Sequence, residues 1–156
     1  MGKRTTAAVA AIGKVMGECN GLVEMIQKCS EQTAKLRAVN AQQIKIMDEV
    51  NEEYMPGGHR PPGSEKLVEE DKRNVAAVKI LEANSKTLMN TLDTINEAKK
   101  ALQAKNKELS GELAVLEKLI GEKLKKSPKD KAKYADSVAL IDKTNKFLEA
   151  TTKMAK

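Results

Sequence analysis

At 156 residues the chain is long enough for one domain, yet aromatic residues make up only 2% of it, as Tyr54, Tyr134 and Phe147. A thick core between layers of structure draws much of its area from rings, so this composition argues instead for a thin seam of Leu, Ile, Val, Met and Ala between narrow helices. Charged residues at 32%, a net charge of +6 and a mean hydropathy of −0.50 permit folding only if the apolar positions are periodic.

No stretch offers the roughly 20 apolar residues of a membrane-spanning helix. The most apolar part, Thr5 to Ile26, is interrupted by Lys14, Glu18 and Glu24. Its AAVAAI segment is too short for a signal peptide and runs into a helical pattern rather than a cleavage site. No Asn lies in an N-x-[ST] sequon. The expected compartment is the cytoplasm, or the exterior if a signal peptide has been removed upstream. Met1-Gly2-Lys3-Arg4-Thr5-Thr6 fits the loose M-G-x-x-x-[ST] lipidation pattern, which frayed basic starts match by accident.

Residues 5–54 carry heptads with a positions Ile12, Cys19, Ile26, Thr33, Asn40, Met47 and Tyr54, and d positions Val15, Leu22, Cys29, Leu36, Gln43 and Val50. Apolar residues at that spacing predict a long helix. Met16, Val23 and Ile44 at e, with Met25, Val39 and Ile46 at g, widen the stripe, as if more than one helix packed on it over part of its length. The segment 55–63 holds three prolines and three glycines, which end the helix. Ser64 then supplies an N-cap oxygen, and Glu65 a negative charge in the first turn, for a second helix over 64–126. Its d positions are Leu67, Asn74, Leu81, Leu88, Ile95, Leu102, Leu109 and Leu116. Its a positions are Asp71, Val78, Ser85, Leu92, Lys99, Asn106, Leu113 and Ile120. Ser127-Pro128 reads as the cap and first position of a third helix over 128–155, with the stripe Tyr134, Val138, Ile141, Asn145, Leu148, Thr152 and Ala155.

At 1.5 Å per residue the three helices would be roughly 75, 95 and 40 Å long. A short connection favours antiparallel neighbours. The expectation is one all-α domain over residues 1–156: an elongated antiparallel coiled-coil hairpin of two long helices. The shorter third helix would fold back to make a three-helix bundle at one end.

Charge is distributed unevenly. Eleven lysines and five acids lie between Lys99 and Lys133, a surplus equal to the whole net charge of the chain, while Asp48, Glu49, Glu52, Glu53, Glu65, Glu69, Glu70 and Asp71 flank the Pro-Gly segment. Lys118, Lys123, Lys125, Lys126, Lys129, Lys131 and Lys133 are therefore candidates for binding an anionic partner. The plainer alternative is a solvated face laced with i,i+4 ion pairs. Nucleic acid is the weaker partner, because the cations are nearly all lysines and stacking rings are lacking. Gly13, Gly17 and Gly21 recur every fourth residue on a face away from the seam, where close approach by helix three or a second copy is one outcome and a flexible helix end the other.

His59 and Arg60 sit in the Pro-Gly segment, an exposed tip suited to recognition, but a lone His makes neither a metal cage nor a triad. Cys19 and Cys29, about 15 Å apart on one seam, read as reduced thiols acting as small apolar residues. Asn40, Gln43, Lys99, Asn106 and Asn145 interrupt the stripes in the manner of residues that fix register.

No phosphate loop, nucleophile motif, catalytic carboxylate pair or metal-ligand spacing is present. These features lead to the expectation of a non-enzymatic structural or adaptor protein that binds other proteins through helical faces, with no cofactor, metal or small-molecule substrate. Self-association is left open. Two alternatives stand beside it: a peripheral binder of anionic membrane or nucleic acid through the lysine-rich end, and an elongated extracellular coat or receptor ectodomain.

Overall fold

A computed structural model of the chain describes residues 2–54 and 66–156. The Pro-Gly segment with His59 and Arg60 lies outside the described residues, as do the expected cap at Ser64 and Glu65 and the side chains of Tyr54, Leu67 and Asp71. The described residues form three α-helices, α1 (Lys3–Tyr54), α2 (Lys66–Lys126) and α3 (Ala135–Met154), with one 3-10 turn at Pro128–Asp130 before α3. They divide into two compact units. The first comprises Met1–Gln27 and Ile95–Lys156, the second Lys28–Thr94. In both, α1 and α2 pack as neighbours, and in the first α3 packs back on them, the hairpin bundle that the periodicity predicts.

On α1 the heptad frame holds throughout. Every a and d position from Ile12 to Val50 is buried or half-buried, and the frame extends one heptad further toward the N-terminus, because Thr5 and Ala8 are also buried. Alternating steps of three and four keep such a line on one side of a helix. The hydroxyl of Thr33 donates to the Cys29 carbonyl at 2.9 Å, which lets a polar residue occupy the seam. Thr5 Oγ1 is buried with no hydrogen-bond partner.

On α2 the expected frame needs correction over half the helix. The d positions Asn74, Leu81 and Leu88 face inward, but Val78, Ser85 and Leu92 are exposed, and Ala77, Asn84 and Thr91 take the inner places instead. Beyond them the inner line runs Ile95, Ala98, Leu102, Asn106, Leu109, Leu113, Leu116 and Ile120. The two successive steps of four at Ala98, Leu102 and Asn106 are a stutter, which shifts the buried stripe around the helix. Counting apolar residues favours Val78 and Leu92; packing prefers the shorter Ala77, Asn84 and Thr91 beside α1. Asn84 Nδ2 finds a partner there, donating to Asn40 Oδ1 at 3.0 Å.

α3 begins later than the expected residue 128. Pro128 opens only the 3-10 turn, and Ser127 makes no side-chain cap. Four of the seven expected inner positions hold, Tyr134, Ile141, Leu148 and Ala155, and the other three move back by one residue. Ser137, Thr144 and Thr151 are buried, while Val138, Asn145 and Thr152 point outward. Short hydroxyl side chains can go inside because the helix itself accepts their protons: Thr144 Oγ1 lies 2.7 Å from the Leu140 carbonyl and Thr151 Oγ1 2.9 Å from that of Phe147.

The apolar core belongs to the three-helix unit, where Ile12, Leu102, Leu109 and Leu116 are fully buried, and Val9, Met16, Val23, Phe147 and Leu148 pack around them. Burial on that scale is the main source of stability in so thin a fold. Leu109→Ala is expected to cost about 2–5 kcal/mol, whereas Val115→Ala, on an exposed part of the same helix, should stay within about 0.5 kcal/mol. Urea unfolding of the two variants checks this; equal losses would contradict the assigned core.

Candidate interaction surfaces

Inside the three-helix unit each helix contributes to one polar layer. The Cys19 thiol lies 3.8 Å from Asn106 Oδ1, and the Thr151 hydroxyl 3.0 Å from the same oxygen. Burial pushes the Cys19 thiol above its ordinary pKa, so it stays protonated and acts as a weak donor. On the rim, Lys105 bridges Glu18 and also reaches Glu108 at 3.3 Å. The hydrogen bond from Lys105 holds the Glu18 carboxyl below the usual carboxylate range, and the same bond raises Lys105. Near the end of α3, Gln103 Nε2 donates to the Ala155 carbonyl at 2.9 Å and Lys99 Nζ to that of Lys156 at 3.2 Å. These contacts satisfy carbonyls that a helix end leaves without internal partners. Asn106 and Lys99 thus hold the three helices in register, whereas Asn145, expected in the same role, is exposed. Cys29 is half-buried and, like Cys19, free.

The lysine-rich end is spread over α2, the 3-10 turn and the start of α3. Lys123, Lys125 and Lys126 occupy the last turn of α2, where positive charge offsets the helix dipole. Lys123 and Lys133 place their ammonium groups 5.6 and 5.9 Å from the centroid of the Tyr134 ring. Lys129 and Lys131 line an open groove together with Ala132, Ala135, Val138, Ala139 and Asp142. Lys118 is exposed. Among the described residues none of the seven lysines is in an ion pair. Within Lys99–Lys133 the expected lacing of near neighbours along the helix therefore reduces, among the described residues, to Lys105–Glu108 at 3.3 Å.

Gly13, Gly17 and Gly21 are exposed, and a Cβ added to any of them would meet nothing within 4 Å. α3 does not pack on this face. It lies instead along the Met16 side of α1, where the Thr144 hydroxyl is 3.8 Å from Met16 Sδ.

In the two-helix unit the widened stripe at Val39, Ile44 and Ile46 is exposed rather than covered by a further helix, and sequence reasoning missed the part of this surface that α2 supplies. Of eleven large apolar residues exposed among the described residues, eight belong to that unit: Val39, Ile44, Ile46, Val75, Val78, Ile80, Met89 and Leu92. Heptad geometry divides them between two flanks of the pair, with Ile44, Val78 and Leu92 at e positions on one and Val39, Ile46 and Ile80 at g positions on the other. Val75 and Met89, 54% and 68% exposed, extend the first flank along α2. Met16, beside Thr144 of α3, and Val23 widen the stripe by packing against the core of the three-helix unit, but the corresponding residues of the second unit have no third helix over them. The visible signal was the doubling of apolar stripes on α2. What misleads is assigning the larger side chains to the inner stripe.

Comparison with protein-family models, curated proteins and solved structures gave no match. Among the described residues no three His, Cys, Asp or Glu are grouped to hold a metal ion, and no helix is long and apolar enough to cross a membrane.

The open space over the glycines makes Gly17→Ala stabilising by up to about 1 kcal/mol, since Ala gains helix propensity without a clash. A fall in the urea midpoint would instead reveal a contact on that face. The Glu18–Lys105 bridge gives a pH dependence. A lowered Glu18 pKa contributes stability that is complete above the ordinary carboxylate value and is lost as pH falls through the lowered value. Unfolding midpoints of wild type and Glu18→Gln should therefore differ at neutral pH and converge in acid; parallel curves would exclude the bridge.

Proposed function

We propose that the chain is a non-enzymatic coiled-coil adaptor or structural protein that works by presenting helical faces to other proteins. The observation carrying this reading is the concentration of exposed apolar residues in the two-helix unit, eight of the eleven among the described residues. Large apolar side chains grouped in the open along a helical flank are costly in water and mark sites of association. A helix laid along the first flank would meet Val75 and Val78, then Met89 and Leu92, as two i,i+3 apolar pairs, and one along the second would meet Val39 and Ile46 one heptad apart with Ile80 of α2. The lysine-rich end supplies a second surface. Its groove of alanines and Val138 beside Lys129 and Lys131 suits an anionic partner such as a membrane surface carrying acidic lipids.

One comparison separates these surfaces. Affinity purification from the native source is run with the wild-type chain, with Val39→Ser/Ile46→Ser/Ile80→Ser, and with Lys123→Glu/Lys125→Glu/Lys126→Glu/Lys129→Glu. The adaptor reading expects protein partners that the serine variant loses and the charge reversal keeps. Partners lost only on charge reversal, and replaced by vesicles of acidic lipid, would transfer the function to the lysine-rich end. A partner set unchanged by the serine variant would overturn the adaptor reading for that flank.

A further inference from the structure

One exposed stripe on α2 has a symmetry that points to its occupant. Val75, Val78, Glu82, Ser85, Met89 and Leu92 follow one another at steps of three and four, so they line one side of the helix, and all are exposed. Their order is apolar, apolar, polar, polar, apolar, apolar. Read from the other end it is the same. We infer that this stripe is the seam along which two copies of the chain pair antiparallel about a two-fold axis between Ala83 and Asn84.

In an antiparallel coiled coil the residues at a positions of one helix meet d positions of the other. Here that register sets Val75 against the partner's Leu92, Val78 against the partner's Met89 and Glu82 against the partner's Ser85. Apolar residues meet apolar ones, and the polar centre meets itself, as an isologous two-fold contact requires. Charge selects the direction. Glu82 and Lys86 stand one turn apart, yet among the described residues neither is in an ion pair. The antiparallel register places Glu82 between its own Lys79 and the partner's Lys86. A parallel pair would instead stack Glu82 on its own copy, a like-charge contact. Ile44, half exposed and on the same flank, widens the seam to α1, so that two hairpins would close a four-helix arrangement. The second unit would then gain the apolar cover that α3 gives the first.

This inference rests on the adaptor reading for its premise that the apolar flanks are contact surfaces, and it names the chain itself as the partner on one of them. The full chain is tested by analytical ultracentrifugation and by cysteine cross-linking in a Cys29→Ser background. The wild-type chain should sediment at twice its 17.0 kDa mass at high concentration. Val78→Glu/Met89→Glu should weaken the dimer at least about tenfold, because each carboxylate would be forced into an apolar contact, while helicity by circular dichroism is kept. Under mild oxidation Val78→Cys and Met89→Cys should cross-link when mixed and not separately, since like positions lie about 16 Å apart across the axis, beyond disulfide reach. A chain that stays at 17.0 kDa at every concentration overturns the inference, as does a dimer joined through like positions or one indifferent to the glutamates. A monomer that still binds a different protein through Val39, Ile46 and Ile80 would sink the self-pairing and leave the adaptor reading intact.

Discussion

The structure depends on the unbroken seam of α1. Its a and d positions run from Thr5 to Val50 without a change of frame, and every one is buried or half-buried. No other element is so constrained. α2 answers it with one inner line beside Lys28–Tyr54 and another, displaced by the stutter at Ala98 to Asn106, in the three-helix unit. The displacement accompanies a change of surroundings: Leu102, Leu109 and Leu116 are fully buried in the three-helix unit, whereas Leu81 and Leu88 in the two-helix unit are only half-buried.

How much could be read from the sequence follows from this difference. α1 was legible in full because its apolar residues fall on the line that packing uses. α2 was legible from Leu102 onward; before it the d positions hold and the a positions were misassigned, since two apolar stripes lie side by side and periodicity alone cannot say which faces α1. Size favours Val78 and Leu92, but the inner places go to Ala77, Asn84 and Thr91. α3 was misread for a related reason. Thr144 and Thr151 count as polar in a pattern, yet their hydroxyls lie within hydrogen-bonding distance of carbonyls one turn back, and Thr151 also reaches Asn106. A hydroxyl satisfied by its own helix behaves in packing as a short apolar branch. The candidate surfaces divide in the same way. The lysines could be placed from charge alone, whereas the exposed flanks of the two-helix unit required knowing where α3 goes.

The polar groups in the seams have distinct roles. In the three-helix unit Cys19, Asn106 and Thr151 come from three helices, so only one axial position of α3 satisfies them together. Lys99 and Gln103 reinforce that position through the last carbonyls of the chain. A layer of this kind trades some stability for uniqueness of register. In the two-helix unit the corresponding contact is the pair Asn40–Asn84, with α1 and α2 alone to hold it.

The seam of Lys28–Thr94 includes Thr33, Asn40, Gln43, Asn74, Asn84 and Thr91 among its inward positions, and Val50 and Ala77 are its only buried apolar residues among the described ones, neither of them fully buried. Separating these helices uncovers little apolar area beyond what is already wet, so their opening free energy is a small part of that for the Leu102–Leu116 core. The chain is in that sense two foldons threaded on the same pair of helices. Its amides should exchange on two timescales, the slow set confined to the three-helix unit. Any surface that binds the fast set raises its protection by mass action, so occupancy of the exposed flanks and local order of the hairpin are one equilibrium seen from two sides.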